Sequence, residues 1–305
     1  MKYYHICLSG KDEIMFRTDE DYCRAINCMA LAAYKTNSKI LAYAFMSTHV
    51  HLCIRTDHPY KVITTYRYAY TRYFNTKYFR RGKLGEIHPF IIEIDGLYHI
   101  LAAICYVLRN PLHHGVSETA FGYPYSSITT YFKQSLGSPK EIIYLNERNV
   151  YKYIPRHTCR PMNYRMNIEG VYINENFIAY KEVEHMFVTA RSFCYYMNRL
   201  SSEEWLKEQD DDNNNIGQIN LQRIESGIKY NSISEMLQNE HGRLNYKKLT
   251  DIELCAIIDN SLPKNSSIYT ISNAYKEKLQ NSIIKKYKCD YLQVRRCLGY
   301  CAKYK

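Results

Sequence analysis

The sequence predicts an α+β fold: an antiparallel sheet with helices packed on one face, followed by a mostly helical C-terminal region. Two observations support this prediction. Over the first 135 residues, short stretches in which apolar residues alternate are interleaved with longer stretches of helical periodicity. From residue 250 onward only helical periodicity remains. A chain of 305 residues is also long enough to bury a sizeable core.

The first region is predicted to run strand, helix, strand, strand, helix, strand, helix. Thr18 caps the first helix, Pro59 suits the first position of the second, and Pro111 ends the third because the residue before proline resists helical geometry. This order is that of a ferredoxin-like sheet, also called palm-like or RRM-like. The expected spans are Tyr3–Leu8, 19–34, Ile40–Met46, His49–Thr56, Pro59–Phe79, Pro89–Ile94 and Tyr98–Asn110.

The charge of the chain is concentrated at its two ends. The formal net charge is +11, with +7 in residues 1–140, −3 in residues 141–274 and +7 in residues 275–305. A basic protein attracts polyanions, and two separate basic regions favour two nucleic-acid surfaces. The alternative is a basic protein that is merely well solvated. No apolar run approaches the roughly 18 residues that a membrane span requires.

Two motifs bring together residues that suit chemistry on a phosphodiester. His49 and His51 are separated by one apolar residue in a predicted strand, so both imidazoles lie on one face and can ligate one metal ion. Two ordinary surface histidines are the alternative. Tyr106 and Asn110 are four residues apart on a predicted helix and therefore share one face.

The order of these motifs resembles that of the single-tyrosine HUH transposases, especially the REP-associated tyrosine transposases. The likeness covers roughly residues 1 to 132 and includes Tyr-x-x-x-Asn-Pro, then Gly115-Val116 and the segment Tyr123 to Ser127. Family members usually have Met-Pro-Asn where this chain has Met46-Ser47-Thr48. They tend to have Arg-Ala where His113-His114 stand, which bears on the DNA contacts near the site.

The resemblance implies a metal-dependent transposase or endonuclease that nicks and rejoins single-stranded DNA at hairpins or palindromes. Tyr106 would be the nucleophile that forms a 5′-phosphotyrosine, and Tyr98 is the decoy to test beside it. His49, His51 and Asn110 would hold Mg²⁺ or Mn²⁺. The expected location is the cytoplasm, at the nucleoid, and Tyr106 serves its own metal site or that of a homodimer partner. The alternatives are a domesticated DNA-binding protein that no longer cuts, and a relaxase or replication-initiation nickase.

DNA contacts are predicted in three places: around residues 66–83, at His113 and His114 after the third helix, and in the C-terminal helices. Cations interleave with tyrosines around residues 66–83, which is typical of single-strand binding. The C-terminal helices Asp251–Asn260, Ser272–Tyr287 and Tyr291–Leu298 resemble a helix-turn-helix for duplex DNA, with a stabilising basic hairpin as the alternative. The residues assigned to DNA are Arg80, Arg81, Lys83, His113, His114, Lys285, Lys286, Lys288, Gln293, Arg295 and Arg296.

These assignments divide the chain into three parts. Residues 1–135 are the expected catalytic domain, 136–245 a helical region of unknown role, and 246–305 the DNA-binding domain. The middle part contains Trp205 and a polar stretch at 209–215 that is typical of a solvated loop. The eleven cysteines are odd in number and contain no Cys-x-x-Cys, so they are expected to be reduced thiols.

Overall fold

A computed structural model describes residues 1–10, 13–114, 116–117, 119–137, 142–198 and 249–300. The predicted features at Trp205 and at 209–215 lie outside these residues. The described N-terminal part contains a four-stranded antiparallel sheet of order β2-β3-β1-β4, so the predicted ferredoxin-like fold class is confirmed. The strands are β1 (Lys2–Ser9), β2 (Lys39–Met46), β3 (His49–Thr56) and β4 (Phe90–Ile94), and the helices between and after them are α1 (Asp19–Lys35), α2 (Pro59–Tyr78) and α3 (Leu97–His113).

The two long helices before the last strand begin where the sequence predicts. The Thr18 hydroxyl accepts a hydrogen bond from the Asp21 backbone N–H, and the Asp21 carboxylate accepts one from the Thr18 N–H, which closes a capping box. Pro59 occupies the first turn of α2, where its missing N–H costs nothing. Phe79, in the left-handed conformation, ends α2.

The predicted end of α3 at Asn110 is wrong, because the helix continues through Pro111 to His113. A proline inside a helix removes one backbone hydrogen bond and costs about 3 kcal/mol. Asn110 and Pro111 are both buried, so packing compensates for that cost, and the His114 N–H closes the helix on the Asn110 carbonyl.

The helices lie on both faces of the sheet. Phe45 pairs with Val50, and its ring centroid is 6.1 Å from that of Tyr66 in α2. Neighbouring residues of a strand point to opposite faces. Since the Tyr106 ring of α3 lies 5.3 Å from that of His51, α3 covers the face opposite α2. The expected packing on one face therefore describes α1 and α2 but not α3.

Residues 142–198 add to the same hydrophobic core. Residues 142–178 contain only short helices and isolated bridges, one of which sets Ile178 beside Ile40 of β2. Helical structure within this described stretch is therefore concentrated after residue 179. The Asn27 side chain of α1 bonds the backbone at Gly170 and Tyr172. The helix α4 (Lys133–Leu136) precedes this stretch, which contains α5 (Glu147–Val150), α6 (Tyr180–Phe187) and α7 (Ala190–Asn198).

The C-terminal helices α8 (Asp251–Asn260), α9 (Asn273–Tyr287) and α10 (Tyr291–Cys297) agree with the predicted spans to within one residue at each end. They form a second, smaller core around Leu254, Ile258 and Val294. We call residues 249–300 the C-terminal unit. The proposed domain boundaries at 135 and 245 stay a prediction.

Arg17 joins the C-terminal unit to the sheet domain. Its fully buried guanidinium donates two hydrogen bonds to the Asp259 carboxylate, at 2.6 and 3.1 Å, and one to the Cys297 carbonyl at 2.7 Å. Buried charges need such partners because they have lost their hydration.

The ten cysteines among the described residues are free thiols. Within the same residues, none of the helices combines the length and the apolar character needed to cross a membrane.

Replacing Arg17 with alanine is expected to lower the free energy of unfolding by roughly 2–4 kcal/mol, because it removes three hydrogen bonds and one partner of a partly buried ion pair. Equilibrium unfolding in urea measures this change. Arg148→Ala, at an exposed position, is the matched control. Equal unfolding midpoints for the two variants would contradict the structural role of Arg17.

Candidate active site

The two predicted metal ligands stand at the start of β3. His49 and His51 are two residues apart in this strand, so their side chains share the face covered by α3. The strand is paired with β1 on one side and β2 on the other, which fixes its position in the centre of the sheet. Both imidazoles are buried.

Four imidazoles form a continuous row beneath α3. His5 of β1 stacks on His51 at 5.2 Å between ring centroids, His51 meets His49 at 5.1 Å, and His49 meets His114 at 5.1 Å. The His5 Nε2 lies 3.0 Å from the His51 Nδ1, which is hydrogen-bond distance. We call these four residues the imidazole row.

Tyr106 and Asn110 of α3 reach this row from above. The Tyr106 ring meets His51 edge-on at 5.3 Å and His5 at 5.8 Å, and 3% of the residue is exposed. One turn later, the Asn110 Oδ1 lies 3.2 Å from the His49 Nε2. The four residues predicted for catalysis and metal binding thus lie together within one chain, while their roles stay a prediction.

Burial keeps the imidazole row neutral. It lowers the pKa of His49 to about 4, against a smaller opposing effect of the Asn110 hydrogen bond and a further lowering by the Arg296 charge. Burial lowers the pKa of His5 and of His114 to about 3, and it places that of His51 well below its ordinary value. At neutral pH these rings therefore offer unprotonated nitrogens, as metal ligation requires.

The hydrogen bonds leave one nitrogen of each predicted ligand for a cation. The His51 Nδ1 faces His5, and the buried Nε2 of His51 has no hydrogen-bond partner among the described residues. The His49 Nδ1 faces the Thr48 hydroxyl at 3.0 Å, which can accept its proton and leave Nε2 with a lone pair. In that tautomer the lone pair and the Asn110 oxygen, 3.2 Å apart, could both ligate a cation, whereas in the other tautomer the His49 Nε2–H donates to the Asn110 oxygen.

The donor set therefore fits a divalent cation bound by two imidazoles and one amide oxygen. A separation of 3.2 Å is close to the distance of about 3 Å between adjacent ligands of an ion that binds at about 2.1 Å. Among the described residues, no three His, Cys, Asp or Glu side chains are arranged to hold a metal ion. Any site here would thus depend on Asn110 as its third protein ligand.

His113 and His114 lie beside this site. His114 is 4% exposed and lies against His49, and the contact of both residues with DNA stays a prediction. The His113 ring lies 6.2 Å from that of Tyr106, and burial lowers its pKa to about 4.

The predicted DNA residues after α2 divide into internal and exposed ones. Arg80 donates from all three of its nitrogens to Glu13, to Asn75 and to the backbone carbonyls of residues 81–83. Its five N–H groups are thereby used within the protein, and its phosphate contact stays a prediction. Arg81 and Lys83 are exposed and stay candidates.

The predicted recognition helix α10 turns its polar face inward. Gln293 and Arg296 both donate to the Asp251 carboxylate at the start of α8. Their contacts with DNA stay a prediction. Arg295 lies over the rings of Tyr291 and Tyr300. The exposed cations of the C-terminal unit include the predicted phosphate contacts Lys285, Lys286 and Lys288.

The sequence interpretation missed His5. The residue lies in the alternating strand β1, but its relation to His51 depends on the pairing of β1 with β3. An isolated histidine in a strand gives no sign of that pairing. A signal was available only from the topology, since β1 and β3 are neighbours in any ferredoxin-like sheet.

Parts of this chain are similar to a known family and to a solved structure. Residues 1–88 match the family described as "Transposase IS200 like". A solved structure, described as a REP-associated tyrosine transposase bound to a REP hairpin, is similar at 12% identity and a TM-score of 0.38. The match covers 45% of this chain and 84% of that one. No curated protein matches the chain.

The buried histidines predict a loss of stability in acid. Because burial lowers the pKa of His5 from 6.5 to about 3, the unfolded chain binds a proton that the folded chain excludes. The contribution of His5 to the free energy of unfolding is therefore fully present above about pH 6.5 and is lost progressively as the pH falls toward 3. Each such histidine contributes up to about 1.4 kcal/mol per pH unit.

His5→Phe is expected to reduce this pH dependence by about one histidine's share, as measured by urea unfolding between pH 7 and pH 4. His88→Gln, at an exposed loop position, is the control. An unchanged slope in His5→Phe would show that the His5 ring is protonated in the folded protein.

Proposed function

We propose that this chain is a single-strand DNA transposase that cleaves and rejoins DNA through Tyr106. The observation that supports the proposal is the convergence of Tyr106, His49, His51 and Asn110 in one buried site. That site lies in a domain whose first 88 residues match the IS200-like transposase family.

The proposed reaction is a transfer of one phosphodiester bond. The Tyr106 oxygen attacks phosphorus, the bond to the 3′ oxygen breaks, and the phenol loses its proton, which leaves a 5′-phosphotyrosine and a free 3′-OH. Attack by a second 3′-OH reverses the step and joins new ends without an external energy source. A divalent cation held by His49, His51 and Asn110 would stabilise the charge on the phosphate and on the departing oxygen.

The donor set bears on the choice of metal. Imidazole nitrogens suit Mn²⁺ better than Mg²⁺, whereas the amide oxygen suits both. We therefore propose Mn²⁺ as the better cofactor in vitro and Mg²⁺ as an abundant alternative in cells.

A groove on the outer surface of α2 suits single-stranded DNA. Its volume is about 780 Å³, and its lining contains Lys35, Arg67, Arg72 and Lys83 but no carboxylate. Tyr68, also in the lining, is 74% exposed and offers a ring on which a base can stack. The groove lies on the α2 side of the sheet, so it would bind DNA away from the cleaved bond.

Other parts of the proposal concern partners and location. The exposed Lys285, Lys286 and Lys288 would contact phosphates of duplex DNA, and a protein of this activity would work at the nucleoid.

The closeness of Tyr106 to His51 within one chain favours attack in cis over an exchange between the subunits of a homodimer. The main alternative is a DNA-binding protein that does not cut, which the following experiment separates.

Incubation with a labelled single-stranded hairpin and Mn²⁺ is expected to give a covalent protein–DNA adduct, visible on a denaturing gel. Tyr106→Phe should abolish the adduct because the ring loses its nucleophilic oxygen. His49→Ala should reduce it at least about 100-fold, since one metal ligand is lost.

Tyr98→Phe, two turns earlier on α3, is the matched control and should form the adduct normally. Binding of the hairpin by the wild-type protein without any adduct would favour the non-cleaving alternative.

Substitution of both Arg72 and Lys83 by glutamine is expected to weaken single-strand binding for all sequences alike. The dependence of log affinity on log salt should become shallower by about 1.4, because each phosphate contact contributes about 0.7. Fluorescence anisotropy at several salt concentrations measures both quantities. Lys61→Gln, exposed on α2 but outside the groove, is the control, and an equal effect of Lys61→Gln would contradict a specific groove.

A further inference from the structure

The turn between β2 and β3 is attached to the C-terminal unit. The Ser47 hydroxyl donates a hydrogen bond of 2.6 Å to the Asp251 carboxylate at the start of α8. From the other side, the Ser47 carbonyl accepts from the N–H groups of Met15 and Phe16. The turn that leads into His49 is thus fixed by segments distant from it in sequence.

Asp251 is itself fixed in place. Its other oxygen accepts from Gln293 and Arg296, each at 3.0 Å, and 9% of the Asp251 side chain is exposed. Burial alone would raise the pKa of Asp251, but the Arg296 charge and the hydrogen bonds from Ser47, Gln293 and Arg296 lower it below its usual range. The group is therefore an ionised, fully bonded acceptor at neutral pH, and such acceptors form the stronger hydrogen bonds.

The path from this carboxylate to the first proposed metal ligand is short. Ser47 is bonded through one peptide to Thr48, whose hydroxyl lies 3.0 Å from the His49 Nδ1. The Thr48 carbonyl accepts from the Gly10 N–H at 2.6 Å. A shift of Ser47 would therefore move Thr48, and with it the orientation of the His49 ring.

We infer that Asp251 and Ser47 are positioning residues for the metal site, so that the C-terminal unit sets the geometry of His49. This inference rests on the proposed function. The inward-facing Gln293 and Arg296 gain a role in the same arrangement, because they hold the Asp251 carboxylate in place.

The test is the affinity of the full-length protein for Mn²⁺, measured by electron paramagnetic resonance of the free ion in the absence of DNA. Ser47→Ala should weaken binding by about 3- to 10-fold, at or below the range found for direct partners of metal ligands. Ser47→Thr, which keeps the hydroxyl, should restore most of the affinity. The nitrogen resonances of the His49 ring should shift in Ser47→Ala.

The matched control is Ser267→Ala. Ser267 also joins the C-terminal unit to the sheet domain, through its hydroxyl and the Tyr78 carbonyl, but it lies outside the imidazole row and its contacts. This variant should lose stability without losing Mn²⁺ affinity, which separates positioning from general attachment.

Three results would overturn the inference. Wild-type affinity in Ser47→Ala would do so while leaving the proposed function intact. Equal losses in Ser47→Ala and Ser267→Ala would reduce Ser47 to a general attachment point. Absence of Mn²⁺ binding by the wild-type protein would remove both the inference and the proposed metal site.

Discussion

The pairing of β1 with β3 is the constraint on which the site depends. It places His5 beside His51, and β3 in turn presents His49 and His51 to α3. A change of register by one residue would move every side chain of a strand to the other face of the sheet. The apolar partners on the opposite face, such as Val50 in contact with the aromatic core, prevent that change. The core beneath α1 and α2 therefore determines where the imidazoles point.

Within the part of the chain that the structure describes, several cationic side chains for which the sequence predicts DNA contacts form ion pairs inside the protein. Arg80 is bonded to Glu13, and Arg296 to Asp251. A guanidinium can satisfy several carbonyl and carboxylate oxygens at once, which makes it suitable for fixing loops and helix ends. The number of cationic residues in a sequence consequently overestimates the number that can contact a nucleic acid. Only the exposed cations remain available to a partner.

The local features of the fold could be predicted from the sequence. The capping box at Thr18, the proline that begins α2 and the alternation in β3 are all encoded within a few residues, and the observed spans follow them closely. The side on which α3 packs, the place of His5 and the ion pair of Arg80 with Glu13 depend on contacts between distant segments. Pro111 shows the same limit, since its penalty within a helix is local but the packing that compensates for it is not.

The burial of Tyr106 and His51 has a consequence for any substrate strand. With 3% and 0% of these residues exposed, the proposed attack of the Tyr106 phenol on a phosphate would require the groups around the phenol to separate. The free energy of that opening would weaken the binding free energy of every strand. The apparent dissociation constant would then equal the intrinsic one divided by the fraction of open molecules. Strands whose binding free energy does not exceed the opening free energy would then stay unbound. The burial of the site would in this way discriminate between strands independently of base contacts.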